Sequence, residues 1–437
     1  MARSEAPTST ISGPHVGVVL PSREALRSGR PELVPSFARA AEERGFQSLW
    51  AGDSLLARPV YDPFTVLACA AATTTTALLG TGVLLAPMRS PALTAQAIGS
   101  LDQLSGGRLI LGLGRGFDLP ETRRDFAAAG AAFEQRTRRL VETISFWRSL
   151  WAPGGRASLD RPYGRLDDEA ILPPVARPGG PPIWLAGYGE ASFERTGRLA
   201  DGWLPYPPEP EDYASGWESV RRAAEDAGRD PGAITPAVMA TVHVGDRASS
   251  QLALEQYVTE FYGYPLALVS SIQACRAGEG DDVVAYLRAF WDAGARVFVL
   301  RAASLDAPER QLDALADTVL PTVSSWRDPA GAPSVDRVGQ FAGGLGRAGL
   351  QGRPAGEPST PLITARRAAR SSCSSDEPPD SRATGRLAGG HRAMARNRQP
   401  SRGPGGRAYD PVQFARGRGH GGREVEQVGT QAASKAS

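Results

Sequence analysis

The stretch Ala41-Glu42-Glu43-Arg44-Gly45-Phe46-Gln47-Ser48-Leu49-Trp50-Ala51-Gly52-Asp53 holds a helix end, a stop and a strand in succession. Pro31 to Arg44 reads as the helix. Proline stands at its start, where a missing N–H costs nothing, and Gly45 follows its end, where glycine accepts a left-handed turn. Phe46 to Trp50 is a short apolar run, and Asp53 and Ser54 lie where it ends. The same unit recurs outward from this stretch. His15 to Leu20 precedes it as strand one. Strands follow at Leu78 to Leu85, Arg108 to Leu113, Pro182 to Ala186, Asp201 to Leu204, Pro236 to Val244 and Arg296 to Leu300. Between them fall helices at Phe64 to Ala72, Ala92 to Leu104, Phe133 to Trp151, Ala191 to Leu199, Asp212 to Ala227, Asp281 to Ala293 and Ala307 to Leu320. Strands this short and apolar on both faces suit parallel strands covered by helices. The alternation predicts an α/β fold, a (β/α)8 TIM barrel. An open doubly wound sheet is the alternative that the count leaves open.

Two longer connections interrupt the pattern. Trp151 to Pro181 is rich in Pro and Gly, with a small hairpin expected around Pro162-Tyr163-Gly164. Asp246 to Gly280 carries Phe261-Tyr262-Gly263-Tyr264, aromatics expected to line a pocket at the barrel mouth together with Tyr61. Cys69, in mid-helix, is expected in the core.

Three boundaries follow: residues 1–13 as a flexible N-terminus, 14–326 as the barrel, and 327–437 as a disordered tail. The tail loses apolar periodicity and cannot bury enough surface to offset ordering entropy. The chain has 437 residues, 41% of them apolar, and a formal net charge of +2. Arg327 to Ser437 carries 18 basic and 9 acidic side chains, the remainder 31 and 38. The body is therefore mildly acidic, which argues against nucleic acid as its partner. Arg416-Gly417-Arg418-Gly419 in the tail could bind nucleic acid; a non-functional extension is the simpler reading. Cys69, Cys275 and Cys373 lie far apart with no CxxC spacing, which argues against a disulfide framework or a metal site and fits a cytoplasmic protein. No apolar run is long enough for a membrane span, and the polar start lacks the apolar core of a signal peptide.

Several segments resemble the luciferase-like monooxygenase superfamily in their order and wording. They are Ala41 to Asp53, Leu79-Gly80-Thr81-Gly82-Val83 with Arg89-Ser90-Pro91, Leu101-Asp102-Gln103-Leu104-Ser105-Gly106-Gly107-Arg108-Leu109 running into Gly112-Leu113-Gly114-Arg115-Gly116, Pro182 to Gly187, and Leu199-Ala200-Asp201-Gly202-Trp203. The resemblance covers about Val16 to Pro321. It implies a flavin-dependent oxidoreductase, a monooxygenase acting on a small organic substrate with FMN. The deazaflavin coenzyme F-420 with hydride transfer is the alternative, and a non-enzymatic flavin-binding barrel a third reading. A flavin reductase and a second copy of the chain are the protein partners it suggests.

Site residues follow from position and chemistry. Gly187-Tyr188-Gly189 ends strand five and opens a helix, where free N–H groups and the helix dipole favour a phosphate; an ordinary tight turn is the other reading. Gly114, Arg115 and Gly116 follow strand four, with Arg115 available to a phosphate or substrate anion, or else a surface arginine. Gly82-Val83 aligns with a family position that often carries a non-proline cis peptide against the cofactor ring; a plain strand end is the other reading. Asp53 is a candidate for orienting ring or substrate, or a cap. Relatives carry Asp-His at Asp53-Ser54, and a serine cannot act as a base near neutral pH as imidazole can. His243, at the end of strand seven, is a candidate proton donor or ring contact, although a lone histidine at a strand end is more often structural. Arg89 and Arg301 are further candidates at the mouth, with surface ion pairs as the other reading.

Overall fold

The computed structural model describes residues 13–160 and 164–327. The expected flexible start, apart from Gly13, and the expected tail, apart from Arg327, lie outside the described residues. Eight parallel strands follow one another in chain order: β1 (His15–Val19), β2 (Ser48–Ala51), β3 (Leu78–Thr81), β4 (Leu109–Leu113), β5 (Ile183–Leu185), β6 (Gly202–Trp203), β7 (Thr235–Val244) and β8 (Val297–Ala302). Each pairs with the next, and β8 pairs back with β1, His15 opposite Val297. That last pairing closes the barrel and excludes the open sheet.

The interior is filled by alternating large and small residues. Trp50 and Trp184 sit with ring centroids 5.4 Å apart, packed with Leu78, Ile110, Met239 and Val299. Glycines make the room: a Cβ on Gly80 would stand 2.2 Å from the Trp50 ring, and one on Gly202 2.5 Å from that of Trp184. The outward faces of the strands pack on the helices, as a two-layer fold requires. Helix Pro63–Thr73 shows the local logic. Asp62 caps it, accepting from the N–H groups of Phe64 at 3.0 Å and Thr65 at 3.2 Å. Val66, Leu67 and Ala70 form its buried stripe. Cys69 lies outside that stripe and is exposed, correcting its expected core position.

The main differences from the sequence reading arise near the mouth. β3 stops at Thr81, four residues early; the Gly82-Val83 peptide that follows is cis, and beyond it Leu84 pairs with Leu113 only as an isolated bridge. The connection after β7 is itself structured. It contains helix Arg247–Tyr262, capped by Asp246 and closed by Gly263 at φ 74°, and a strand, Cys275–Gly278, that pairs with the last residues of β7. The buried Leu254, Tyr257 and Val258 share one face of that helix, but Leu252 is exposed off it, which blurs the apolar pattern in the sequence. Periodicity therefore gave no signal for it. The expected hairpin is present as strands Ala157–Leu159 and Leu166–Glu169; residues 161–163 at its turn lie outside the described residues.

Candidate active site

The C-terminal ends of the strands form a rim with two chemically different halves. The first is lined by glycine. β3, β4 and β5 are neighbours, so Gly82, Gly114 and Gly187 share one rim. A Cβ on Gly82 would come within 2.7 Å of Met239 Cε, and one on Gly114 within 2.6 Å of Val83 Cγ2. At both positions a side chain packs directly on the backbone, so neither tolerates a Cβ without a shift. Beyond β5, Gly187 has φ 124° and Gly189 φ 101°. The indole N–H of Trp203 donates to the Gly187 carbonyl at 3.2 Å. Tyr188 is exposed and leaves the turn, donating its hydroxyl to the Asp212 carbonyl at 2.8 Å. Gly189 opens helix Glu190–Leu199, and no side chain caps it.

Arginines on this helix and in the loop after β4 are coupled electrostatically. Arg195 lies on the same helix and Arg115 in the loop after β4. Burial, and next the nearby Arg115, pushes the Arg195 guanidinium below its usual value. Arg136 is lowered by burial and then by Arg115 as well, and it stacks on Phe133 at 3.8 Å. Arg115 thus couples to both, while Asp118 and Glu134 offset part of the charge around Arg136.

Asp53 and Arg89, expected near the chemistry, are bound to each other. The Arg89 Nε and Nη2 donate to the Asp53 carboxylate at 3.1 and 2.8 Å, and the Leu85 N–H donates to it at 3.0 Å. Arg89 Nη2 also reaches Asp62 at 2.9 Å. Burial works against the Arg89 charge, but the two carboxylates hold the guanidinium above its ordinary value. Every Asp53 contact is thus spent on fixing the loop after β3. Ser54, in the place of the family histidine, accepts from the Arg58 N–H at 2.8 Å.

His243 is fixed on both sides. Its Nδ1 lies 2.6 Å from the Ala303 carbonyl, and its Nε2 lies 3.2 Å from the Gln311 amide nitrogen. A carbonyl only accepts, so Nδ1 carries the proton and Nε2 accepts from Gln311. Gln311 in turn bonds the Val244 N–H and carbonyl at 2.8 and 2.9 Å. This neutral imidazole braces β7 and has no nitrogen left for a substrate, in contrast to its expected role as a proton donor.

The second half of the rim belongs to β6, β8 and helix Arg247–Tyr262. Here Arg301 points inward from β8 and donates to the Tyr262 hydroxyl. Burial opposes its charge, yet the surrounding tyrosine oxygens and Glu24 hold the guanidinium above its ordinary value. Tyr206 packs on the barrel interior beside it. Of the expected pocket aromatics, Phe261 lines a cleft with Arg301, while Tyr264 turns away to bond Glu121 at 3.3 Å. Tyr206, Tyr257 and Tyr262 were not among the residues singled out for chemistry.

In parallel barrels the C-terminal mouth is where active sites are built. Residues 15–316 match the model of the luciferase-like monooxygenase family. The chain belongs to that family, and it is an oxidoreductase. It is 34% identical over 263 residues to a phthiodiolone/phenolphthiodiolone dimycocerosates ketoreductase of Mycobacterium bovis, covering 54% of this chain and 68% of that protein. It is 33% identical to an F420-dependent hydroxymycolic acid dehydrogenase of Mycobacterium tuberculosis, over 66% of this chain and 78% of the relative. Among solved structures, the oxygenating constituent of 3,6-diketocamphane monooxygenase from Pseudomonas putida, in complex with FMN, superposes with a TM-score of 0.56. That pair is 20% identical over 71% of this chain and 98% of the other, a likeness of fold. No helix among the described residues is long and apolar enough to cross a membrane.

Proposed function

We propose that this chain binds a deazaflavin coenzyme on the glycine half of the rim and transfers hydride to or from a small organic substrate. The observation that carries it is that the uncapped turn at Gly189 opens the helix bearing Arg195, whose charge is coupled to that of Arg115, which is coupled in turn to Arg136. A deazaflavin tail bears a phosphodiester and several carboxylates, and such an extended anion suits a spread of cations better than one terminal phosphate does. The relatives named as a ketoreductase and an F420-dependent dehydrogenase support the same order of preference. FMN-dependent monooxygenation, placed first on sequence grounds, becomes the second reading, favoured by the likeness of fold to the FMN complex.

The chemistry supplied by the bound ring is two-electron hydride transfer. The chain's own contribution is positional. The rim at Gly82, Val83 and Gly114 takes the planar group, and the N–H groups around Gly189 hold its phosphate. Met239, Trp50 and Trp184 close the barrel below and exclude water. The substrate then enters over Tyr206 and Tyr262, and a flavin reductase is not needed as a partner. Fluorescence titration of the cofactor-free chain tests this. Saturable binding of the deazaflavin at least tenfold tighter than FMN is the expected result; tighter binding of FMN would restore the monooxygenase reading.

A further inference from the structure

Three arginines meet on the other half of the mouth with too little negative charge to match them. Arg301 is 7% exposed and lies 4.6 Å from the centroid of the Phe261 ring. Arg23 lies 4.8 Å from the same ring and donates to the carbonyls of Phe261 at 2.6 Å and Glu260 at 2.9 Å. Arg58 lies 5.1 Å from the Tyr262 ring, and its buried Nε has no partner. Among the described residues none of the three forms an ion pair within 4.0 Å. The carboxylate on their cleft is Glu24, whose Oε1 accepts from the Tyr257 hydroxyl at 3.0 Å. Burial pushes the Glu24 carboxyl up, which weakens this one counter-charge further.

Guanidinium groups stay charged at any ordinary pH, and buried charges are normally paired. Stacking on aromatic faces offsets only part of the cost of burying them. Thr241 adds an independent sign. It is the register partner of Arg301 on β7, fully buried, and its hydroxyl has no hydrogen-bond partner. The cleft encloses about 30 Å³, room for an anionic head group rather than for a whole substrate, and its lining includes the apolar side chains Val19, Leu20, Val60 and Phe261. A planar donor fork beside an apolar wall fits an oxyanion attached to an apolar body.

We propose that Arg301, Arg58 and Arg23, with the Tyr262 and Thr241 hydroxyls, bind an oxyanion carried by the substrate, which is therefore a small organic acid or a phosphate ester with an apolar body. This rests on the reading of the glycine half as the cofactor's place, which leaves this half to the substrate.

Calorimetric titration of the full chain with benzoate, phenyl phosphate and neutral benzamide tests it. At least one anion is expected to bind tenfold or more tightly than benzamide, and which one does so separates the carboxylate from the phosphate ester. Arg58→Gln, at the partly exposed edge, is expected to raise that Kd at least tenfold without changing cofactor affinity. Arg301→Lys keeps the charge, loses the fork and is expected to raise it at least threefold. Equal binding of all three compounds, failure of both anions to bind, or unchanged anion affinity in Arg58→Gln would overturn the proposal. Cofactor binding measured on the same samples keeps the two readings apart: a chain that takes up deazaflavin but neither anion defeats this proposal alone. A chain that binds the anion but neither cofactor supports it and defeats the cofactor assignment.

Discussion

Gly189→Val is expected to leave the barrel folded and to raise the Kd of either flavin-type cofactor at least a hundredfold, a loss of about 2.8 kcal/mol. Gly189 sits at φ 101°, and a Cβ there would meet nothing within 4 Å. No clash therefore opposes the substitution. Its cost to folding is backbone strain of about 1–3 kcal/mol, readable as a shift in the urea midpoint. Its cost to binding is larger, because the added isopropyl group stands where the phosphate would approach the helix N-terminus. Gly228→Val is the control. Gly228 also has positive φ, 68°, and open space, but follows helix Pro210–Asp226 away from the rim. It should show a comparable strain and unchanged cofactor affinity. If Gly189→Val bound cofactor as the parent chain does, the phosphate would have to lie elsewhere.

Asp53→Asn is expected to destabilise the chain by about 3 kcal/mol, the range seen when one partner of a buried ion pair is removed. The Asp53 side chain is 3% exposed and accepts from both Arg89 and Leu85. An amide would present N–H groups to a guanidinium that can only donate. Arg89 keeps Asp62, which limits the loss. Asp62 is 43% exposed, so Asp62→Asn should cost less than about 1 kcal/mol through its ion pair, with any loss of its cap adding to that. Equilibrium urea unfolding measures all of this. An Asp53→Asn protein of parental stability that had lost turnover would instead return Asp53 to the acid–base role open to it on sequence grounds.

The barrel was legible because its signals are local. Gly45 closing one helix, Asp62 opening another and short runs such as Ile183-Trp184-Leu185 declare themselves within a few residues. The glycine half of the rim was legible for the same reason, and the resemblance carried the cis peptide at Gly82-Val83, which is present. The charged half was not. Arg301 meets Tyr262 across 39 positions of chain, and Glu24 meets Tyr257 across 233. Such pairs exist only once the barrel has closed and helix Arg247–Tyr262 has folded over its mouth. The partners of His243 were hidden for a related reason. Its place at the end of β7 suggested chemistry, but its bonds to Ala303 and Gln311 come from segments 60 and 68 residues away. Ser54, by contrast, stands where many relatives carry histidine, a departure visible from sequence alone.

The most direct test is a crystal structure of the chain soaked with the deazaflavin. The account predicts phosphate density within hydrogen-bonding distance of the N–H groups at Gly187 to Glu190, with the ring lying against Gly82-Val83. Density for the coenzyme in the cleft of Arg23 and Arg301, or at the opposite end of the barrel beside His15, would contradict it.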